Sequence, residues 1–335
     1  MKIAITGATG FIGRNLAESF QHEGHEVTAT GRSREVGELL KGRGIEFTVS
    51  DILDLDGLTN CFAGADLVIH CAGKSADRGS YREFRQINVD GTCNVIEACR
   101  SSDIRKIIFL STPSIYYSGS DRFNVSENEP LPRRQFSYGK TKLMAERELL
   151  SAAREGISSI ILRPRAVYGR YDHTIVPRIL AVSERKKFPL INGGVAKVDI
   201  TYIENLISAV RKCLSAPEPS WNQVYNISNG DPLAIREWFS TVLDIFQRPF
   251  RPRRVPGSIA YGIAVFMELV SKVSMGRISP AMTRFSVGYM ASSLTMSIEK
   301  AKQKLGYLPS VSNREGFLKY RKWVDATVPP EFEER

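Results

Sequence analysis

The sequence predicts an α/β fold: a doubly wound parallel sheet with helices on both faces, joined to a smaller, interleaved C-terminal substrate-binding part. Three observations carry this reading. Short apolar runs alternate with helical stretches through the first half of the chain, the rhythm of a parallel sheet covered by crossover helices. Several runs, IIFLS and ISSIILR among them, are apolar almost throughout, as strands buried on both faces must be. The opening run leads directly into a glycine-rich turn and a helix, the context in which phosphate groups are bound.

Taken in order, the candidate strands are Lys2 to Thr6, Glu26 to Thr30, Glu46 to Val49, Leu67 to Cys71, Lys106 to Ser111 and Ser159 to Arg163. After Pro164 the alternation gives way to a stretch richer in Pro and Gly, with several basic helices. Val198 to Leu214 then reads as a strand leading into an amphipathic helix that returns to the first part. The expected division is therefore 1–168 and 197–216 for the dinucleotide-binding part, and 169–196 and 217–335 for the substrate-binding part. The most apolar late segment, Gly257 to Val273, contains Glu268 and Lys272 and falls short of the ~20 apolar residues of a membrane span. A buried helix is expected there, or one docked on a surface, with peripheral lipid contact as one role for it.

Composition narrows the partners. The 335 residues carry a formal net charge of +10, but Lys and Arg are scattered, with short runs only at Arg251 to Arg254 and Arg185 to Lys187. No basic stretch is interleaved with aromatics, so nucleic acid is not expected, whereas an anionic cofactor and an anionic substrate are. The five cysteines, at 61, 71, 93, 99 and 213, form no CxxC pair and no cluster with metal-ligand spacing, which fits a reducing compartment and no metal. The chain opens on MKIAITG, readable at once as a strand rather than a leader, and a cytoplasmic location is expected.

The turn Thr6-Gly7-Ala8-Thr9-Gly10-Phe11-Ile12-Gly13 lies between the first strand and the first helix. There Gly7 permits a sharp turn, Gly10 lets the backbone approach a pyrophosphate, and Gly13 lets the helix pack on the strand. Phe11 and Ile12 open a helix whose free N–H groups face negative charge. An acid at the end of the second strand would bind the ribose hydroxyl of NAD; the chain instead has Thr30-Gly31-Arg32-Ser33-Arg34. Arg32 offers a fork suited to a 2′-phosphate, with Ser33 and Arg34 as helpers, so NADP is favoured and NAD is the alternative.

Tyr138 and Lys142 stand four apart in SYGKTKLMAERELL, a stretch with helical periodicity, and so share one helix face. A phenol titrates near ~10, and a nearby ammonium is expected to lower that value enough to make Tyr138 a usable proton-transfer group. Lys140, two residues on, faces away.

The glycine turn and this pair together resemble the extended short-chain dehydrogenase/reductases of the NAD(P)-dependent epimerase/dehydratase superfamily, whose fold is of the Rossmann type. That resemblance implies that Tyr138 is the acid/base and that Lys142 also holds the nicotinamide ribose. It points to Thr112, four before Tyr116 in IIFLSTPSIYY, as the third catalytic group, with Ser111 and Ser114 as neighbouring hydroxyls. Asp51 and Ile52 would lie by the adenine, Cys71-Ala72-Gly73 along the cofactor, and Pro164-Arg165-Ala166 by the nicotinamide carboxamide. Asn88 would support the active-site helix.

CAGKSADRGSY, RPRAVYGRYDHTIVPRIL, KVDITYIEN and NISNGDPLAIRE look more narrowly like the 3β-hydroxysteroid dehydrogenase-like subgroup, especially the bacterial 2-alkyl-3-oxoalkanoate reductases, which reduce a β-ketoacid with NADPH. The implied substrate is a small carbonyl or alcohol compound, anionic or hydrophobic; Lys74, Arg78, Arg165 or Arg178 would orient a carboxylate and His173 would line the pocket. A homodimer is the family's expectation. Two other functions fit the same fold: a sugar-nucleotide epimerase or dehydratase that keeps NAD(P) bound, disfavoured by Arg32, and a non-enzymatic NADP-binding redox sensor, disfavoured by the intact Tyr138 and Lys142.

Overall fold

The computed structural model describes residues 1–75, 79–133, 135–184, 187–274 and 282–327. The first half contains β1 (Lys2–Thr6), α1 (Phe11–His22), β2 (Glu26–Gly31), α2 (Arg34–Lys41), β3 (Glu46–Val49), α3 (Leu55–Phe62) and β4 (Leu67–His70). There follow α4 (Tyr81–Arg85), a π-helical turn Gln86–Asp90, α5 (Gly91–Ser101), β5 (Lys106–Leu110), β6 (Arg122–Val125), α6 (Ser137–Ala152), β7 (Ser158–Pro164) and β8 (Val167–Tyr168). The next stretch holds α7 (Val176–Ser183), β9 (Phe188–Ile191), β10 (Lys197–Val198), β11 (Thr201–Tyr202), α8 (Ile203–Leu214), β12 (Gln223–Ile227) and β13 (Leu233–Ala234). The last comprises α9 (Ile235–Ile245), β14 (Pro252–Val255), α10 (Gly257–Val273), α11 (Arg284–Ala291), β15 (Leu294–Met296), α12 (Glu299–Leu305) and α13 (Asn313–Thr327).

Seven strands form the central sheet in the order β12-β7-β5-β4-β1-β2-β3, every pair parallel. Each of the six candidate strands lies in it. The seventh, β12, was not among them; it comes from the 217–335 range set apart for substrate binding and pairs with β7 from Gln223↔Ile160 to Ile227↔Pro164. Val198 to Leu214, expected as one strand and a helix, holds the end of β10, the short strand β11 and α8. Smaller sheets, β13-β10-β15-β6, β11-β8 and β14-β9, draw their strands from both ranges.

Winding reverses between β1 and β4, so the carboxyl ends of these two strands open a crevice on one edge of the sheet, where doubly wound folds place their ligands. One face of the sheet buries Leu58, Val95, Ile96, Ala145 and Leu149 of α3, α5 and α6. The other buries Leu16, Phe20, Leu206 and Val210 of α1 and α8, and that core runs on without a break to Trp238, Phe239 and Phe317 of the C-terminal part.

His70 closes β4 at the floor of the crevice. Its Nδ1 bonds Thr6 Oγ1 at 2.8 Å and its Nε2 bonds Thr92 Oγ1 at 3.0 Å, while its ring stacks on Phe109 with centroids 5.1 Å apart. Burial pushes its pKa down to about 3 from 6.5. Below pH 6.5 the unfolded chain takes up a proton that the folded chain refuses until about pH 3, so this residue's contribution to stability is lost as pH falls across that window. His70→Gln is expected to be less stable than wild type near neutral pH by roughly 1–2 kcal/mol from lost hydrogen bonds. Urea midpoints of the two proteins should converge between about pH 7 and about pH 4.5; a constant gap would refute the buried neutral imidazole.

Candidate active site

A groove of about 300 Å³ lies over the crevice, lined by Gly7, Thr9 and Gly10 of the turn, Gly31 and Arg32 after β2, Asp51 and Ile52 after β3, and Cys71, Ala72 and Gly73 after β4. The backbone explains why glycine opens the turn. Gly7 has φ +69°, and a Cβ there would lie 2.7 Å from the Ala72 backbone. Gly10 is the N-cap of α1 and makes no side-chain cap, leaving the N–H groups of Phe11, Ile12 and Gly13 at an open helix end suited to a phosphate. Gly13 is buried against the turn.

Arg32 reaches over the groove, 75% exposed, with Nη1 3.7 Å from Asp51 Oδ2. Arg34 is exposed on the first turn of α2. The Ser33 hydroxyl accepts the Val36 N–H at 3.3 Å and so caps α2; its other use is set by that helix. These residues fit a dinucleotide: a helix N-terminus without a side-chain cap for the pyrophosphate, and an exposed guanidinium, near Asp51, where an acid would select the unphosphorylated ribose.

At the groove's far end stands α6. Its first turn carries Tyr138, whose ring lies 6.2 Å from that of Phe84. Lys142, 5% exposed, donates from Nζ to the Leu110 carbonyl at 2.6 Å and lies 3.8 Å above the Phe109 ring. Gly139 between them lets the helix sit tight on the strand end: a Cβ there would be 3.0 Å from the Ser114 carbonyl. Thr112 follows β5, accepts the Ser114 N–H at 3.1 Å and donates to the Ser114 hydroxyl at 3.0 Å.

One electrostatic expectation is overturned. Burial raises the Tyr138 pKa, and the group that lowers it is the Thr112 hydroxyl, not the Lys142 ammonium. Lys142 is itself pushed down to about 7 by burial, with Glu146 and Cys71 working the other way. A charged lysine in an apolar wall has given up its water, and one carbonyl does not replace it.

Asn88, buried on the π-helical turn, ties the 72–75 loop to α6. Its Oδ1 accepts the Lys74 N–H at 2.7 Å, and its Nδ2 donates to Thr141 Oγ1 at 3.1 Å. Pro164 ends β7; Arg165 and Ala166 follow, Ala166 at φ +42°. The proposed substrate contacts are mostly scattered. Lys74 turns its ammonium toward Glu83, 3.9 Å away. His173 and Arg178 are exposed around the start of α7, and no described contact brings them to Tyr138. Arg78 lies outside the described residues.

The residues that sequence reasoning passed over hold α6 in place. Glu146 is buried one turn after Lys142 and receives Nε and Nη2 of Arg163 at 2.9 and 2.5 Å as well as the Ser111 hydroxyl. Arg163 also donates to Tyr116, whose hydroxyl passes a hydrogen bond to Asn226 Oδ1 at 2.9 Å. The signal was present: a lone charge inside the apolar run of β7 requires a buried partner.

Fold and groove define a dinucleotide-binding α/β protein of the doubly wound type. The chain belongs to the NAD dependent epimerase/dehydratase family, whose sequence model matches residues 3–228. It is similar over 332 residues, at 32% identity, to the 2-alkyl-3-oxoalkanoate reductase of Stenotrophomonas maltophilia, covering 96% of this chain and 98% of that one. A protein of the same name from Shewanella oneidensis is 29% identical, over 95% of this chain and 84% of its own. Among solved structures, the UDP-glucuronic acid 4-epimerase of Bacillus cereus in complex with NAD superposes with a TM-score of 0.76 at 23% identity, over 98% of this chain and 100% of that one. The extended short-chain resemblance and its narrower reductase form both hold.

Removing one partner of the buried pair strands the other charge. Glu146→Ala is expected to cost about 3–5 kcal/mol, whereas Glu146→Met with Arg163→Met should cost much less than the single variant because no charge is left behind. Urea unfolding of the three proteins checks this, and equal losses in the single and double variants would contradict it.

Proposed function

We propose that this chain is an NADP-preferring reductase that turns the ketone of a β-ketoacid into a secondary alcohol, with Tyr138 as the proton donor. The observation that carries the reading is the Tyr138 phenol beside the Thr112 hydroxyl, with Lys142 buried one helical turn away, at the end of a groove fit for a dinucleotide. As an oxidoreductase acting on CH–OH groups the chain agrees with its relatives, two of which are named as reductases of 3-oxoalkanoates.

The glycine turn, Arg32 and residues 71–73 would hold a reduced dinucleotide, which when bound would supply hydride for a carbonyl carbon. Tyr138 gives its phenolic proton to the carbonyl oxygen, completing the alcohol, and regains a proton from solvent. The Thr112 hydroxyl, turning its proton away from Ser114, donates to the same oxygen and holds it against the phenol. Lys142, one helical turn from Tyr138, would hold the ribose of the dinucleotide. The oxidation of an alcohol uses the same groups in reverse. An epimerase reading has only fold-level support, and Arg32 at the place of the ribose-binding acid argues against it.

The wider partner expectations, a second copy of the chain and a lipid surface, also stand as proposals. The lipid one is supported by α10, which exposes Ile259, Ile263, Phe266 and Leu269 just after the basic stretch Arg251 to Arg254. No helix among the described residues is long and apolar enough to cross a membrane.

Tyr138→Phe is expected to cut turnover by about 10²–10⁴-fold while leaving dinucleotide affinity near wild type; isothermal titration beside a nicotinamide absorbance assay separates the two. Arg32→Ala should weaken NADPH and leave NADH almost unchanged. Because Lys142 is charged only below about 7, kcat/KM for the dinucleotide should fall as pH rises through that value, and Lys142→Arg should move the fall upward. A pH-independent wild-type profile across this range would remove Lys142 from the mechanism.

A further inference from the structure

Arg165 is 1% exposed, the largest of the fully buried side chains. Its Nε and Nη1 are buried without any hydrogen-bond partner, and among the described residues it takes part in no ion pair. Its guanidinium lies over the Tyr289 ring, with Cζ 3.8 Å from the centroid. The buried acid nearest in charge, Asp199, is already committed, to the Ser228 hydroxyl at 3.1 Å and the Met296 N–H at 2.6 Å. A guanidinium has five N–H groups in a rigid fork and stays charged. Leaving it dry and unpaired costs several kcal/mol, and a fold that retains such a group needs a use for it.

Its position supplies the use. Neighbouring parallel strands lie about 4.8 Å apart, and β5 and β7 are paired with Leu110 opposite Leu162. Continuing that register sets Thr112 beside Pro164, so Arg165 stands one residue beyond the Thr112 hydroxyl at the same end of the sheet. Tyr289 in turn joins an aromatic wall: Tyr289 to Phe285 at 5.4 Å, Phe285 to Phe136 at 5.0 Å, and Phe136 to Tyr117 at 5.6 Å between centroids. Phe136 is the N-cap of α6, two residues before Tyr138. A cation, a hydroxyl pair and an apolar wall thus lie at the same end of the sheet.

Resting on the reductase reading above, we propose that Arg165 is the carboxylate receptor of the substrate: it binds the acid group next to the reacting ketone, while the aromatic wall of Tyr117, Phe136, Phe285 and Tyr289 takes the alkyl chain. The substrate class is then a free oxoacid with an apolar tail, not its ester or thioester and not a neutral ketone. Burial pushes the guanidinium down to about 9 against the pull of Asp199, and a bound carboxylate adds the hydrogen bonds that Nε and Nη1 lack. Among the basic residues proposed from sequence to orient a carboxylate, Arg165 combines burial, unpaired N–H groups and proximity to Thr112.

The test compares 3-hydroxydodecanoate with its methyl ester in the oxidative direction, following nicotinamide absorbance with the wild type, Arg165→Gln and Arg165→Met. The wild type is expected to prefer the acid by at least about 30-fold in kcat/KM, and both variants should lose that preference chiefly through a higher KM for the acid. Stability adds an independent reading: without substrate, Arg165→Met should unfold at the same or higher urea concentration than wild type, since it removes an unpaired buried charge. Equal wild-type rates on acid and ester, or a variant that loses both equally, would overturn the proposal and leave the reductase standing. A marked loss of stability in Arg165→Met would show the cation to be a structural part of the Tyr289 contact and overturn it as well. Wild type that oxidises neither compound nor any other secondary alcohol in a panel would bring down the reductase reading itself.

Discussion

The pairing of Glu146 with Arg163 is the constraint on which the candidate active site depends. Two charges taken out of water are tolerable only if each is met by the other and by further hydrogen bonds, and here Ser111, Tyr116 and Asn226 complete the set. Satisfying that network allows one placement of α6 across the ends of β5 and β7. Tyr138 and Lys142 lie on the same helix, two turns and one turn before Glu146. Their position is therefore set by electrostatics at a site that never meets a substrate, which is the supporting-shell logic of a preorganised centre. Asn226 brings β12 into the same network, so the strand from the C-terminal range helps to fix a helix from the N-terminal one.

Unfavourable terms collect at one end of the sheet. Lys142 and Arg165 are cations without enough partners, burial raises the Tyr138 phenol, and Ala166 holds a left-handed conformation at φ +42° that costs an L-residue roughly 1–2 kcal/mol. The conformation persists because the β8–β11 pair and the Thr201 hydroxyl, bonded to the Arg165 carbonyl at 2.6 Å, clamp the loop on both sides. A continuous apolar core from α1 to α13 supplies the stability that the strained end draws upon. Separation of a strained, polar end from an apolar body is how a site can be stiff without being comfortable.

The groove shows the same division on a smaller scale. Beneath it Thr6, which lines the groove, is held by a fully bonded histidine, and its rim carries Arg32 on a long exposed stem. Floor residues fix the shape that receives a ligand; rim residues choose among ligands of similar shape, since an exposed guanidinium contributes mainly when a phosphate is there to meet it.

Reading the chain alone located all but one of the central strands, the glycine turn, and the Tyr138–Lys142 spacing, because these are local: a buried parallel strand must be apolar at every position, a left-handed turn needs Gly7, and residues four apart share a helix face. Edge strand β12 escaped because QVYNI is short and mixed, and its pairing with β7 is made across some sixty residues of intervening chain. Nothing local could say that Arg163 would find Glu146, that Lys74 would turn to Glu83, or that burial rather than an ammonium would govern the Tyr138 phenol. Desolvation and charge pairing belong to the space around a group. That space is assembled only when strands and helices distant in sequence close over it, which is why Arg165, one of several basic candidates in the sequence, stands apart from the rest only in three dimensions.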